Sequence, residues 1–154
     1  MFTLKLKHHF VASHQLRNAY AKECNTSLHG HNWEVEVEIR ATHLIDGMII
    51  DFKKLKAIID ELDHITLLEN TERNGKLFDV LYEMGNKVKL LEFEPTAENL
   101  TEFLQREISK EVLKRYELEE KDLIGVRERP IYVAVTVWEA EKASIRYEDY
   151  GFPH

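Results

Sequence analysis

The sequence predicts an α+β fold, in which an antiparallel four-stranded sheet carries two helices on one face in the order β-β-α-α-β-β. Three observations predict it. Period-two alternation runs through residues 2–14 and again through 31–40. Apolar stripes at helical spacing follow Asp51 and Pro95. Two further extended runs, the first opening after Pro130, close the chain.

The first strand places Phe2, Leu4, Leu6, His8, Phe10, Ala12 and His14 on one face, with Thr3, Lys5, Lys7 and His9 on the other. The second places His31, Trp33, Val35, Val37 and Ile39 opposite Asn32, Glu34, Glu36, Glu38 and Arg40. These two are expected to pair antiparallel across a polar loop from Gln15 to Leu28. After a turn at Asp46-Gly47, Phe52, Leu55, Ile58, Ile59 and Leu62 fall at helical spacing, with Asp51 as N-cap. A second helix is expected from Thr96 to Tyr116, its stripe made by Leu100, Phe103, Leu104, Ile108, Val112 and Leu113. Between them, "VLYEMGNKVKLLEF" reads as an extra hairpin within 69–94, turning at Gly85-Asn86. "IYVAVTVWE" is apolar on both faces, as in a strand covered on both sides, and "ASIRYED" is the fourth strand. The sheet face away from the helices would then be rich in apolar residues and need a partner chain.

The 154 residues suit a single domain over 1–154, and 44% hydrophobic content is enough for a core. No apolar run is long enough to span a bilayer, and no secretion signal stands at Met1. One cysteine cannot close a disulfide within the chain, which points to the cytoplasm. The net charge of −7 argues against a nucleic-acid binder, although local cations could still hold an anionic small molecule.

The chemistry concentrates in "CNTSLHGHNW", residues 24–33. His29 and His31 are two apart on a strand, so they share a side at roughly 7 Å and could converge on one metal. On their own such a pair is more often ordinary strand-end polar residues. His14 ends the neighbouring strand on the matching face, and three imidazoles with an open fourth position are a catalytic zinc pattern. Cys24 lies in the polar run Lys-Glu-Cys-Asn-Thr-Ser, where core burial is not expected; near a metal its thiol would ionise more readily and could act as base or nucleophile. Asp63-His64 could hold a proton-transfer histidine in one tautomer, provided the backbone bends, or simply finish a helix. Glu139 ends a strand beside Val133, Val135 and Val137, and needs either an arginine or a ligand edge with two N–H donors. Arg17, Lys22 and Arg127 are candidates for holding phosphate.

The segments "FVASHQL", "C…HGHNW", "GMIIDFKKLK", "LDH", "EPTAENL" and "VTVWEA" occur in an order that resembles the 6-pyruvoyl-tetrahydropterin synthase and 6-carboxytetrahydropterin synthase family. The resemblance implies the tunnelling fold, subunits forming a barrel as trimers and two trimers stacking into a homohexamer. It implies Zn2+ on His14, His29 and His31, Cys24 as catalytic thiol, and Asp63 and His64 as the acid–base pair. It implies Glu139 as anchor of the pterin ring, and Thr96 in "EPTAENL" joins it as a candidate substrate-binding residue. The implied substrate is 7,8-dihydroneopterin triphosphate. The implied product is 6-carboxy-5,6,7,8-tetrahydropterin, on the route to queuosine. A pyruvoyl product is the runner-up. The pattern departs at the thiol. Cys24 stands five residues before the HGH motif, whereas the family places it four or six before, where this chain has Asn25 and Glu23. Glu23 is therefore a possible alternative base, as in relatives that cleave the side chain for folate synthesis. More remote readings are a zinc hydrolase, which would not need Glu139, and a non-catalytic pterin or purine binder, which would not need the metal.

Overall fold

The structure is a computed structural model that describes residues 1–118 and 130–149. Its strands are β1 (Phe2–His14), β2 (His29–Ala41), β3 (Ile65–Glu69), β4 (Val88–Leu91), β5 (Ile131–Ala140) and β6 (Ala143–Asp149). Its helices are α1 (Lys22–Thr26), α2 (Phe52–Asp60), α3 (Glu72–Glu83) and α4 (Ala97–Arg115). One mixed sheet holds the strands in the order β4-β3-β1-β2-β5-β6.

The alternating residues of β1 and β2 pair antiparallel in unbroken register from Phe2↔Ala41 to His14↔His29. Register matters here because a slip of one residue would turn every apolar side chain outward. As it stands, Phe10, Trp33, Val35, Val37 and Ile39 are buried on one face. They share a core with Leu55 and Ile59 of α2 and with Leu100, Leu104, Ile108 and Val112 of α4. Asp51 caps α2 by accepting the Lys53 N–H at 2.8 Å, and Thr96 caps α4 through Asn99 N–H at 3.2 Å. No helix among the described residues is long and apolar enough to cross a membrane.

Two expectations are corrected. The segment within 69–94 is not a hairpin. β3 runs parallel to β1, β4 runs parallel to β3, and α3 makes the crossover between them. Parallel neighbours cannot be joined by a tight turn, so a crossover element is required. Gly85, with φ +83°, follows the last turn of α3, so the Gly-Asn pair that reads as a hairpin turn is a helix stop. The sheet therefore has six strands and mixed direction instead of four and antiparallel.

The open sheet face is not apolar either. Ala134 and Thr136 of β5 are buried there, at 0% and 7% exposure. They lie in register between Glu36 and Glu38 on one side and Arg146 and Glu148 on the other. Lys5, Arg40 and Arg146 all converge on the Glu38 carboxylate, which they hold ionised against its burial. The apolar strand is covered by charged side chains of its own chain.

Candidate metal centre

The β1–β2 register sets His14 directly opposite His29, and strand alternation brings His31 to the same side. The ring centroids lie 4.5 Å apart for His14–His29 and 5.1 Å apart for both other pairs. One nitrogen from each ring lies within 4.8 Å of the others. Trp33, fully buried, makes edge contacts with His14 and His31 at 5.2 and 5.3 Å and forms an apolar floor.

The outer nitrogens are engaged by backbone carbonyls, which can only accept. His14 Nδ1–H therefore donates to Pro95 O at 2.7 Å, and His29 Nδ1–H donates to Ser27 O at 3.1 Å. In the neutral rings this leaves Nε2 with its lone pair, aimed inward. His14 Nε2 and His31 Nε2 are buried without a hydrogen-bond partner. A buried polar atom left this way is expensive. Burial lowers the His14 pKa from 6.5 to about 4, against the pull of the Pro95 carbonyl and with help from the adjacent His29 and His31. Burial also lowers that of His31, partly offset by Glu139. Three imidazoles whose ring nitrogens converge, one of them buried and held neutral, are the donor set that zinc takes, so the residues fit a metal ion.

Glu139 reaches the same place from the end of β5, in phase with Val133, Val135 and Val137 on the core face, where the β5–β6 register shifts between Trp138 and Ala140. Glu139 Oε1 stands 3.4 Å from His14 Nε2 and 3.5 Å from His31 Nε2.

The other candidate residues are held in different ways. Cys24 is half-buried in α1, and its carbonyl accepts from Leu16 N–H at 2.9 Å. Glu23 is exposed in the first turn of α1, as is Lys22. Thr96 is the α4 cap, so its hydroxyl is already committed to the helix. Asp63 and His64 do form a pair: His64 has φ +55°, and this bend lets its Nδ1 meet Asp63 Oδ2 at 2.8 Å. Asp63 is held ionised chiefly by accepting the Val11 N–H, and His64 N–H donates to Val11 O. The pair thus sits beside Val11, roughly 10 Å along β1 from His14. Among the described residues no hydrogen bond or ring contact joins it to the three histidines. Arg17 is tied to Glu69 at 2.8 Å, and Arg127 lies outside the described residues.

Some contributors carry no signal readable in the sequence. The Glu94 carboxylate accepts the backbone N–H groups of Arg17 and Asn18, fixing the loop after His14. Asn25 donates to Ala19 O and accepts from Ala19 N–H, both at 2.8 Å. A cavity of about 760 Å3 opens beside this loop, lined by Gln15, Arg17, Asn25, Glu69, Arg73 and Lys76 among others. Arg73 and Lys76 belong to α3, whose existence the sequence reading missed.

Comparison with known proteins finds relatives by sequence and by fold. The chain is 46% identical over 81 residues to a Pyrococcus horikoshii protein provisionally named a 6-carboxy-5,6,7,8-tetrahydropterin synthase; the match covers 51% of this chain and 50% of that protein. It is 32% identical over 107 residues to the 6-carboxy-5,6,7,8-tetrahydropterin synthase of Rickettsia bellii, covering 65% and 71%. The chain thus spans about half the length of the Pyrococcus relative it matches. In fold it is similar to an uncharacterized protein from Wolinella succinogenes, with TM-score 0.70, 18% identity and coverage of 96% and 98%. It is also similar to a Plasmodium vivax 6-pyruvoyltetrahydropterin synthase, with TM-score 0.62, 17% identity and coverage of 97% and 99%. The subunit therefore has the tunnelling fold. The family model described as 6-pyruvoyl tetrahydropterin synthase matches residues 3–149, nearly the whole length, and the chain belongs to that family.

Proposed function

We propose that this protein is a zinc-dependent pterin synthase that converts 7,8-dihydroneopterin triphosphate to 6-carboxy-5,6,7,8-tetrahydropterin. The observation that carries the reading is the trio of converging histidines with two buried, unpaired Nε2 atoms. The names of the Pyrococcus and Rickettsia relatives support the carboxy product over the pyruvoyl one. A cytoplasmic homohexamer fits the family.

His14, His29 and His31 would hold the ion, with Pro95 O and Ser27 O setting the two outer tautomers. Bound there, zinc would supply Lewis acidity toward the substrate side-chain hydroxyls and acidify the adjacent C–H. The Glu139 carboxylate would accept the two parallel N–H donors of the pterin edge and fix the ring. Cys24 would take the side-chain proton as thiolate. His64, oriented by Asp63, would move a proton on the other side. Because the Asp63-His64 pair lies away from the histidines of its own chain, this role requires it to face the centre of a neighbouring subunit. Assembly would thus complete the site. Thr96 supports the site by capping α4, which carries Pro95 at its entry.

A second reading concerns the base. The catalytic residue replaced in the Plasmodium vivax neighbour is a glutamate. Glu23, next to Cys24, is the residue of that type here, and a base at Glu23 would direct the chain toward side-chain cleavage for folate synthesis.

The test is direct. Purified protein is assayed for zinc, incubated with 7,8-dihydroneopterin triphosphate, and its products identified by mass. The carboxy product is expected together with acetaldehyde. Turnover unaffected by complete metal removal would refute the reading.

A further inference from the structure

Glu139 stands in an unusual relation to the histidines. Its Oε1 is 3.4 Å from His14 Nε2 and 3.5 Å from His31 Nε2, and neither contact is a hydrogen bond. For His14 the reason lies in the tautomer. His14 donates through Nδ1 to Pro95 O, so the neutral ring presents a bare lone pair at Nε2. A carboxylate oxygen is also acceptor-only. Two acceptors facing each other across a buried gap repel unless a cation lies between them.

The spacing says which cation arrangement fits. A tetrahedral ion with bonds of about 2.0–2.1 Å sets its ligand atoms about 3.3–3.4 Å apart. The Glu139 distances to His14 and His31 come close to that edge length, and the three histidine nitrogens, within 4.8 Å of one another, would draw in around an ion. Three neutral imidazoles and one carboxylate leave a dication with net charge +1, which is tolerable in a site floored by Trp33. The side chain of Glu139 is also 35% exposed, so an incoming ligand can reach it.

From this geometry we infer that Glu139 closes the metal's fourth position in the substrate-free protein and leaves it when a pterin ring arrives. This rests on the metal-dependent reading above and adds a second state to it. The carboxylate cannot serve both partners with one set of lone pairs in one orientation. The pterin edge offers two parallel N–H donors, which match a carboxylate better than one shared contact does. Glu139 therefore turns from the histidines to the ring, and the vacated position becomes open to the substrate side chain. Ring binding would precede side-chain engagement, and in the absence of pterin the centre would be closed to water and small anions.

The experiment uses the full-length protein loaded with Zn2+ or Co2+. Glu139→Ala and Glu139→Gln are compared with wild type by chelator competition and by the visible absorption of the Co2+ form. Metal affinity is expected to fall by about 10–100-fold in both variants, with a changed Co2+ spectrum that azide shifts further; azide should leave the wild-type spectrum unaltered. In a second arm, pterin itself, which has the ring edge but no side-chain hydroxyls, is titrated into wild-type Co2+ protein. Its binding, read by fluorescence quenching, should change the Co2+ spectrum in step. Spectra identical in wild type and both variants would overturn ligation by Glu139 even if affinity falls, because a nearby charge that does not bond would lower affinity alone. Pterin that binds without altering the spectrum, or does not bind, overturns the displacement. A wild-type chain that takes up neither metal overturns this inference and the metal-dependent reading together, whereas unchanged spectra in the variants leave that reading standing.

Discussion

Acid should destabilise the metal-free protein in a pH window that belongs to His14. Burial holds this imidazole neutral in the folded chain, with its pKa lowered from 6.5 to about 4. In the unfolded chain the same ring takes a proton near 6.5. Between these values the unfolded state binds more protons, so stability rises with pH there. The contribution is full above pH 6.5, shrinks as the pH falls, and levels off below about 4. At about 1.4 kcal/mol per tenfold change in proton affinity, the fall from 6.5 to about 4 amounts to about 3 kcal/mol. His31 adds in the same direction. The carboxylates held below their ordinary values, Glu38, Asp63, Glu94 and Glu148, lose their contributions at lower pH, below 4.5 for the glutamates and 3.8 for Asp63. Urea midpoints of metal-free wild type and His14→Gln, taken at steps from pH 7.5 to 4.5, isolate the term. Wild type should lose about 2–3 kcal/mol more than the variant across that range. Parallel loss in both proteins, or an NMR titration of His14 near 6.5, would refute the reasoning.

Three further outcomes are expected. Cys24→Ala should keep zinc and lose about 10²–10⁴-fold in turnover, while Glu23→Gln stays near wild type; the reverse pattern in side-by-side kinetics would move the base to Glu23 and the product toward folate. Thr96→Ala should lower stability by about 1 kcal/mol through the lost α4 cap, read by denaturation, and it should weaken metal retention because Pro95 enters that helix; unchanged stability would contradict the cap's role. His29→Ala and His64→Ala should each be inactive alone, the first also metal-free; mixed and reassembled together they should regain part of the activity, since each subunit could lend the group the other lacks, and no regain would place both groups in one chain's site.

The parts of the molecule that were legible in the sequence are those where one side-chain period meets one environment. β1 and β2 alternate over their full length, and their register follows from burying Phe10 and Trp33 together. That register alone is enough to bring His14 against His29. Asp51 announces its helix because a short polar acceptor suits an N-cap, and Pro95 marks the entry to the other. The α3 segment failed for the opposite reason. None of its residues is buried, so its apolar positions Leu77, Val80 and Leu81 meet little core to sharpen their period, and Gly85 suggested a turn. β5 misled because composition shows what a strand carries, while its cover comes from Glu38 and Arg146, which belong to its neighbours. The Pro95 carbonyl could not be found from residue type at all, since any residue would supply one.

The bond between His14 and that carbonyl spans 81 positions. A ribosome releases all three histidines well before it reaches Pro95. The nascent chain therefore has the ligands but lacks the acceptor that chooses the His14 tautomer and the helix that presents it. An ion captured at that stage would meet flexible rings free to offer either nitrogen and would exchange readily. On the metal-dependent reading, durable loading would begin only after α4 docks on the sheet. Metal content in a freshly made population would then be a gauge of how many molecules have finished folding, and variants that slow α4 would be recovered metal-poor even with all three histidines intact.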